Sequence, residues 1–223
     1  MNITSKLSDD GRVPLRFRVP TQLHEIALDE DPDKRIGLTY QLTARTLPSA
    51  TEIERMHFTL MQEMALASLV NEGCVYAAHC IAHSAADPAK LSLGMFTVLV
   101  KKADLQAERP LAAIAGGLRR PGEPKEIVFA DYPAGEALVI GEEVKARLPT
   151  NVVGHRTTHT SVVRQAQVIF ALPSRQHLAI LGVSSESIED WRHYVAMLNG
   201  IAESMSFSRS EDTGIAARLR TLG

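Results

Sequence analysis

The chain is poor in the features that mark exported, membrane-spanning or nucleic-acid-binding proteins. It has only two cysteines in 223 residues, too few for a disulfide framework, so both thiols are expected to be reduced. No apolar run approaches the roughly 20 residues that a membrane-spanning helix requires. The formal net charge is -2, which argues against a nucleic-acid binder. The polar start of the chain shows no apolar signal segment, so we expect a cytoplasmic protein.

The apolar pattern predicts an α+β fold, and 45% hydrophobic residues suffice for one sizeable core. In the last third, residues 165–172 and 177–183 predict two strands joined by a tight turn, and a helix is expected from Ser187 to about Met205. A short helix or ordered loop is expected at 110–118, and further strands at 74–83, 91–101, 126–131 and 137–144. Because short turns link most strands, we expect an antiparallel sheet flanked by helices, an α/β/α sandwich.

Two short patterns near the start of the chain predict strands. Residues 12–20 alternate apolar and basic side chains between Pro14 and Pro20, which indicates a half-buried edge strand with a basic outer face. Residues 28–35 predict a charged loop, after which the alternation at 38–42 indicates a second strand.

The longest predicted helix runs from about Thr51 to Asn71 and stops at Gly73. Apolar residues recur along it at helical spacing: Ile53, Met56, Leu60, Met64 and Ala67. This spacing predicts a broad apolar face that is buried against the sheet, with the methionines serving mainly to fill the core.

The chain shows no internal repeat and no interdomain linker, so we expect a single domain at 12–206. A flexible N-terminus is predicted at 1–11 and a C-terminal tail at 207–223. The tail contains a short amphipathic pattern formed by Ile215, Ala216, Leu219 and Leu222.

The end of the predicted domain resembles a known family. The likeness is carried by Ala171-Leu172-Pro173, the run 177–185, Trp191 and the run 201–207. This pattern resembles the end of PsbP-like proteins, including LpqN-type lipoproteins and many actinobacterial proteins of unknown function. The resemblance implies an antiparallel sheet between helices and an accessory or binding role without catalysis. It assigns no functional residues, and the chain lacks the lipobox and signal peptide of the exported members.

The best candidates for metal binding are Cys74, His79, Cys80 and His83, since zinc takes cysteine and histidine ligands. On a strand, however, the two cysteines would share one face and the two histidines the other. We therefore expect no metal site and no cofactor. The sequence also lacks a GxSxG elbow, a P-loop and a dinucleotide fingerprint, so we expect no enzyme activity.

These observations favour a non-catalytic accessory or protein-binding module that has a protein partner or associates with itself. Three arginines on one strand face, Arg12, Arg16 and Arg18, are the candidate contact surface. The alternative role for this face is an edge strand protected from aggregation by charge. A second hypothesis is a small-molecule carrier with an apolar pocket between the sheet and the long helix. A third is an enzyme that uses the histidine–cysteine cluster.

Overall fold

Over the residues that it describes, a computed structural model shows an α+β fold with two antiparallel sheets and four α-helices. It describes residues 2–4, 15–46, 48, 51–88, 90–119, 122, 125–148 and 159–207. The small sheet contains β1 (Asn2–Thr4), β2 (Leu15–Arg18) and β10 (Ser206–Phe207). The large sheet contains β3 (Leu23–Glu25), β4 (Cys74–His83), β5 (Leu91–Lys102), β6 (Lys125–Tyr132), β7 (Gly135–Leu148), β8 (His159–Ala171) and β9 (His177–Ser185). The helices are α1 (Pro32–Thr46), α2 (Glu52–Asn71), α3 (Pro110–Leu118) and α4 (Trp191–Glu203).

The large sheet has the strand order β3-β4-β5-β9-β8-β7-β6, and every neighbouring pair is antiparallel. The predicted antiparallel sheet flanked by helices is therefore confirmed. Strands β4, β5, β8 and β9 and the β6–β7 hairpin lie where the apolar pattern placed them. None of the described helices is long and apolar enough to span a membrane.

The two faces of the large sheet are covered differently. The main core lies between the sheet, the small sheet and α4, and its largest fully buried side chains include Phe17, Phe96, Phe170 and Tyr194. On the opposite face, α2 packs through Leu66, and α3 forms a separate apolar cluster with β7 and β8. The sheet is thus enclosed on both sides, as in a sandwich.

The strand predicted at 38–42 is wrong, because these residues lie inside α1. The helix begins in the segment that was expected to be a charged loop. Asp31 accepts a hydrogen bond from the backbone N–H of Asp33 (3.0 Å), and Pro32 occupies the first helical position. A capping aspartate followed by proline is a strong helix start, and it outweighs an alternation only a few residues long.

The edge position predicted for the strand within 12–20 is also wrong. Strand β2 lies in the middle of the small sheet, with β1 on one side and β10 on the other. Strand β1, Asn2–Thr4, lies within the segment 1–11 that was predicted to be flexible, so these three residues differ from that prediction. Residues 12–14 and the tail at 208–223 lie outside the described residues.

Tyr194 makes Gly94 intolerant of any side chain. A Cβ atom added at Gly94 would lie 2.4 Å from Cε1 of Tyr194. The ring is held in place by a 2.7 Å hydrogen bond between its hydroxyl and Oγ of Ser92. We expect Gly94→Ala to lower the free energy of unfolding by about 2 kcal/mol through overpacking, measured by urea denaturation. The matched control is Gly141→Ala on β7, where the nearest atom is 3.9 Å away; equal stability of the two variants would contradict this explanation.

Candidate functional site

The four candidate metal ligands on β4 are not brought together. A register shift between Cys74 and Tyr76 places Cys74 in the apolar cluster under α2, whereas Cys80 lies in the main core on the other face. The expectation that the cysteines share a face is therefore wrong. Burial raises the pKa of both thiols, which favours the neutral form over the metal-binding thiolate. The described residues contain no group of three or more potential metal ligands.

His79 is a buried histidine rather than an exposed ligand. Its side chain is 7% exposed, and its register partner on β3 is His24. Burial, with a smaller contribution from the positive charge of His24, lowers the pKa of His79 from 6.5 to about 4. The ring is therefore neutral at physiological pH. Its neighbour in the candidate set, His83, is exposed at the end of the strand.

The arginine face has the predicted alternation but lies beside acidic groups. Arg16 and Arg18 are exposed and alternate with the buried Leu15 and Phe17, and Arg12 lies outside the described residues. Arg18 lines an open groove of about 720 Å³, whose lining also includes Asp131 and Glu203. Two carboxylates thus share this groove with Arg18. The role of the arginine face in binding stays a prediction.

A second groove, of about 620 Å³, lies along α4 and is lined by Ser92, Asp190, His193, Tyr194 and Met197 among others. The Oδ1 atom of Asp190 accepts the backbone N–H of Ala85 (2.9 Å) and so ties the β4–β5 connection to the start of α4. Burial raises the pKa of Asp190, but Ser92, Ser84 and the N–H of Ala85 outweigh it and hold the pKa below its usual value.

Neither groove lies where the carrier hypothesis placed its pocket. Both are lined by residues of α4, which packs on the opposite face of the sheet from α2. Between the sheet and α2, Leu66 packs against Ala77 and Leu99. The carrier hypothesis stays a prediction, but the described grooves give it a different location.

The contact between α1 and α2 is polar. Arg35 is 7% exposed, and its guanidinium forms an ion pair with Glu63 through two nitrogens. Its Nη1 atom also donates to the backbone carbonyls of Leu28 (3.2 Å) and Glu30 (2.8 Å). The hydrogen bond and charge of Glu63 raise the pKa of Arg35 above its ordinary value, although burial opposes the shift. Ion pairing thus fixes α1 against α2.

Further polar side chains continue this contact along the two helices. Gln62 donates to Oγ1 of Thr39 (3.1 Å), and Thr43 and Thr59 are 1% exposed. Each of these two threonine hydroxyls donates to a carbonyl of its own helix, which satisfies its hydrogen-bonding need. The side of α2 that faces α1 is therefore occupied by polar groups.

The apolar stripe of α2 points away from the protein. Its members share one helix face as predicted, but they are exposed: Ile53 (81%), Met56, Leu60, Met64 (69%) and Ala67. The predicted burial of this face is wrong. A second stripe at the same helical spacing faces inward instead, formed by Arg55, Thr59, Gln62 and Leu66. We call the exposed set the α2 stripe.

Further exposed side chains without charge border the α2 stripe on the same helix. On α1, Leu38 is 50% exposed, and the exposed Lys34 and Arg45 lie on the same side of that helix. Among the α2 side chains that the structure describes, those exposed from position 53 to position 70 carry no charge: Ile53, Met56, Leu60, Met64, Ala65, Ala67, Ser68 and Val70. Periodic spacing could predict this stripe, but it could not show that the stripe faces solvent. The α2 stripe is thus the candidate site that sequence reasoning assigned to the core.

Comparison with known proteins does not identify a family for this chain. The chain matches no protein-family model, no curated protein and no solved structure. The likeness of its C-terminal strands and helix to PsbP-like proteins therefore stays a prediction.

Proposed function

We propose that this protein is a non-catalytic accessory module that binds a protein partner through the α2 stripe. The single observation that supports this proposal is a row of apolar side chains exposed along one face of α2, on a protein whose main core is well packed. Exposed apolar side chains scattered singly are ordinary, but a row of them along one helix is typical of an interaction surface. The partner element that fits it is an apolar helix, since a helical stripe packs against another helix.

The energetics favour a covered stripe. Burying a large aliphatic side chain completely stabilises by about 1.5–3 kcal/mol relative to full exposure. Ile53 and Met64 retain most of their surface in water, and Met56 and Leu60 retain nearly half. A partner that covers the α2 stripe therefore gains several such contributions on the order of 1 kcal/mol each. The polar contact with α1 leaves this surface free to be used.

Charge supports the same assignment. The face formed by Arg16 and Arg18 borders a groove with two carboxylates, whereas the described exposed side chains of the α2 stripe are uncharged. Apolar, uncharged surface is typical of the centre of protein interfaces. The α2 stripe therefore replaces the arginine face as the proposed contact surface.

Affinity purification from cells that express the protein natively tests this function. Three tagged forms are compared: the wild type, Leu60→Glu on the α2 stripe, and Arg16→Glu on the arginine face. We expect a stoichiometric partner, either another protein or an untagged copy of this chain, with the wild type and Arg16→Glu, but not with Leu60→Glu. Circular dichroism checks that the variants are folded. A partner lost only from Arg16→Glu, or no association of any kind, would contradict the proposal.

A further inference from the structure

The spacing of the α2 stripe identifies the shape of its partner. From Ile53 to Ala67 the members follow one another at steps of 3, 4, 4 and 3 residues, a mean of 3.5. This is the period at which two helices keep one seam in contact along their length. The stripe is therefore matched to a helix that runs nearly parallel or antiparallel to α2.

The order of side-chain sizes along the stripe is self-complementary. When α2 packs antiparallel against its own copy about a twofold axis at Leu60, positions at equal distances on either side of Leu60 face each other. Leu60 then meets Leu60, Met56 meets Met64, and Ile53 meets Ala67. The β-branched Ile53 faces the smallest member of the stripe. Alternating large and small residues across facing positions is what allows layers to interdigitate.

The described charges of α2 fit a twofold arrangement. An isologous interface brings each residue near the same surface of the partner, so a charge on the stripe would face like charge. The described exposed side chains of α2 from 53 to 70 carry none. Glu63 lies on the α1 side and is paired with Arg35. Glu52 would face Ser68 of the second copy, which is uncharged.

The available area is sufficient for a dimer of modest stability. Helix α2 has 20 residues and is therefore about 30 Å long. Helix α1, packed beside it at about 10 Å, has 15 residues and is about 22 Å long, so the pair presents a face of roughly 500 Å². Pairing two such faces buries roughly 1,000 Å² in total, which is about the minimum for a specific interface. A dimer of this size should dissociate measurably on dilution.

We propose that α2 pairs antiparallel with α2 of a second copy, about a twofold axis at Leu60, to form a symmetric homodimer. This inference rests on the proposed function, because it names the partner of the same stripe. The two α1–α2 pairs would meet as a four-helix layer in the middle of the dimer, between the two large sheets. The sheet grooves along α4 would lie on the far side of each copy and remain open.

Sedimentation velocity from about 1 to 200 μM tests the dimer. We expect the wild type to dimerise and Leu60→Glu to raise the dissociation constant at least 100-fold, because two carboxylates would meet at the axis. The matched control is Val128→Glu on β6, an exposed apolar residue (55%) outside the stripe; it should dimerise like the wild type. A wild type that stays monomeric, or a dimer that Leu60→Glu leaves intact, would overturn the proposal.

Cysteine cross-linking tests the register and covers the case in which Leu60→Glu fails to fold. Residues that face each other across two packed helices bring their Cα atoms close enough for a disulfide. Leu60→Cys should therefore link two copies under mild oxidation, and Ile53→Cys should not, because its two copies would lie about 21 Å apart along the helices. The double variant Ile53→Cys/Ala67→Cys should link again. Efficient linking of Ile53→Cys alone would overturn the antiparallel register.

The two proposals fail in different ways. If the wild type is monomeric but a different protein is retained by the wild type and lost from Leu60→Glu, the α2 stripe is a docking surface and self-pairing is wrong. If neither self-association nor any Leu60-dependent partner is found, both proposals are wrong.

Discussion

Replacing Arg35 with methionine should lower the free energy of unfolding by about 3 kcal/mol. Arg35 is the only charged group that joins α1, α2 and the 27–30 loop among the described contacts, and it is 7% exposed. Methionine fills a similar volume but donates no hydrogen bond. The substitution therefore leaves the Glu63 carboxylate without its cation and the carbonyls of Leu28 and Glu30 without their donor. Leaving such groups unpaired costs more than the ion pair contributes on its own.

Equilibrium denaturation of the wild type, the two single variants Arg35→Met and Glu63→Met, and the double variant measures this effect. The double variant Arg35→Met/Glu63→Met should be more stable than Arg35→Met alone, since no carboxylate is then left unpaired. The control is Lys34→Met: Lys34 pairs with Glu30 at 2.8 Å, but its side chain is 62% exposed. Exposed pairs of this kind contribute at most about 1 kcal/mol. If Arg35→Met and Lys34→Met lose the same stability, the polar contact is not what holds α1 in place.

The same contact explains why α1 was missed in the sequence. Three of its buried residues, Arg35, Thr39 and Thr43, are polar, so the buried face of this helix has no apolar period. The alternating apolar residues at 38–42 then suggested a strand. The signal that could have identified the helix is local: Asp31 followed by Pro32 marks a capped helix start. Hydrophobic pattern alone fails where a helix packs through an ion pair.

Helix α2 shows what apolar spacing can predict about a helix and what it cannot. Its bounds were predicted closely, and it ends before Gly73, whose φ of 90° suits glycine after a helix. The stripe was also predicted correctly as a shared face. The prediction that this face is buried was wrong, because apolar periodicity shows which residues share a helix face but not whether that face contacts the core or the solvent. Where the neighbouring helix offers Arg35 and Thr39, the polar face of α2 turns inward and the apolar face is left exposed.

On β4 the sequence could not reveal a change of register. The alternation from Cys74 to Cys80 assumes an unbroken strand, in which both cysteines share a face. The irregularity between Cys74 and Tyr76 reverses the direction of Cys74 relative to the rest of the strand. Strands β5 and β9, by contrast, were predicted well because they are apolar and end at clear turns. Bulges depend on the partner strand and leave little trace in a single sequence.

Acid should destabilise the protein through His79. Above pH 6.5 this histidine is neutral in both the folded and the unfolded chain, and its contribution to stability is fully present. Between pH 6.5 and its folded pKa of about 4, the unfolded chain binds a proton that the folded protein excludes. The free energy of unfolding therefore falls as the pH falls, by about 3 kcal/mol over the whole window.

The measurement is denaturant unfolding of the wild type and His79→Gln at pH values from 7 to 4. Glutamine keeps a hydrogen-bonding side chain but does not titrate, so the variant should lack this part of the pH dependence. The wild-type advantage over His79→Gln should therefore shrink as the pH falls from 6.5 to 4. The control is His24→Gln on β3, which removes the smaller repulsive contribution and leaves burial, the larger cause, in place. It should keep most of the wild-type pH dependence. If His79→Gln and the wild type lose stability in parallel between pH 6.5 and 4, the acid sensitivity arises from other groups, and the buried histidine of β4 is not its source.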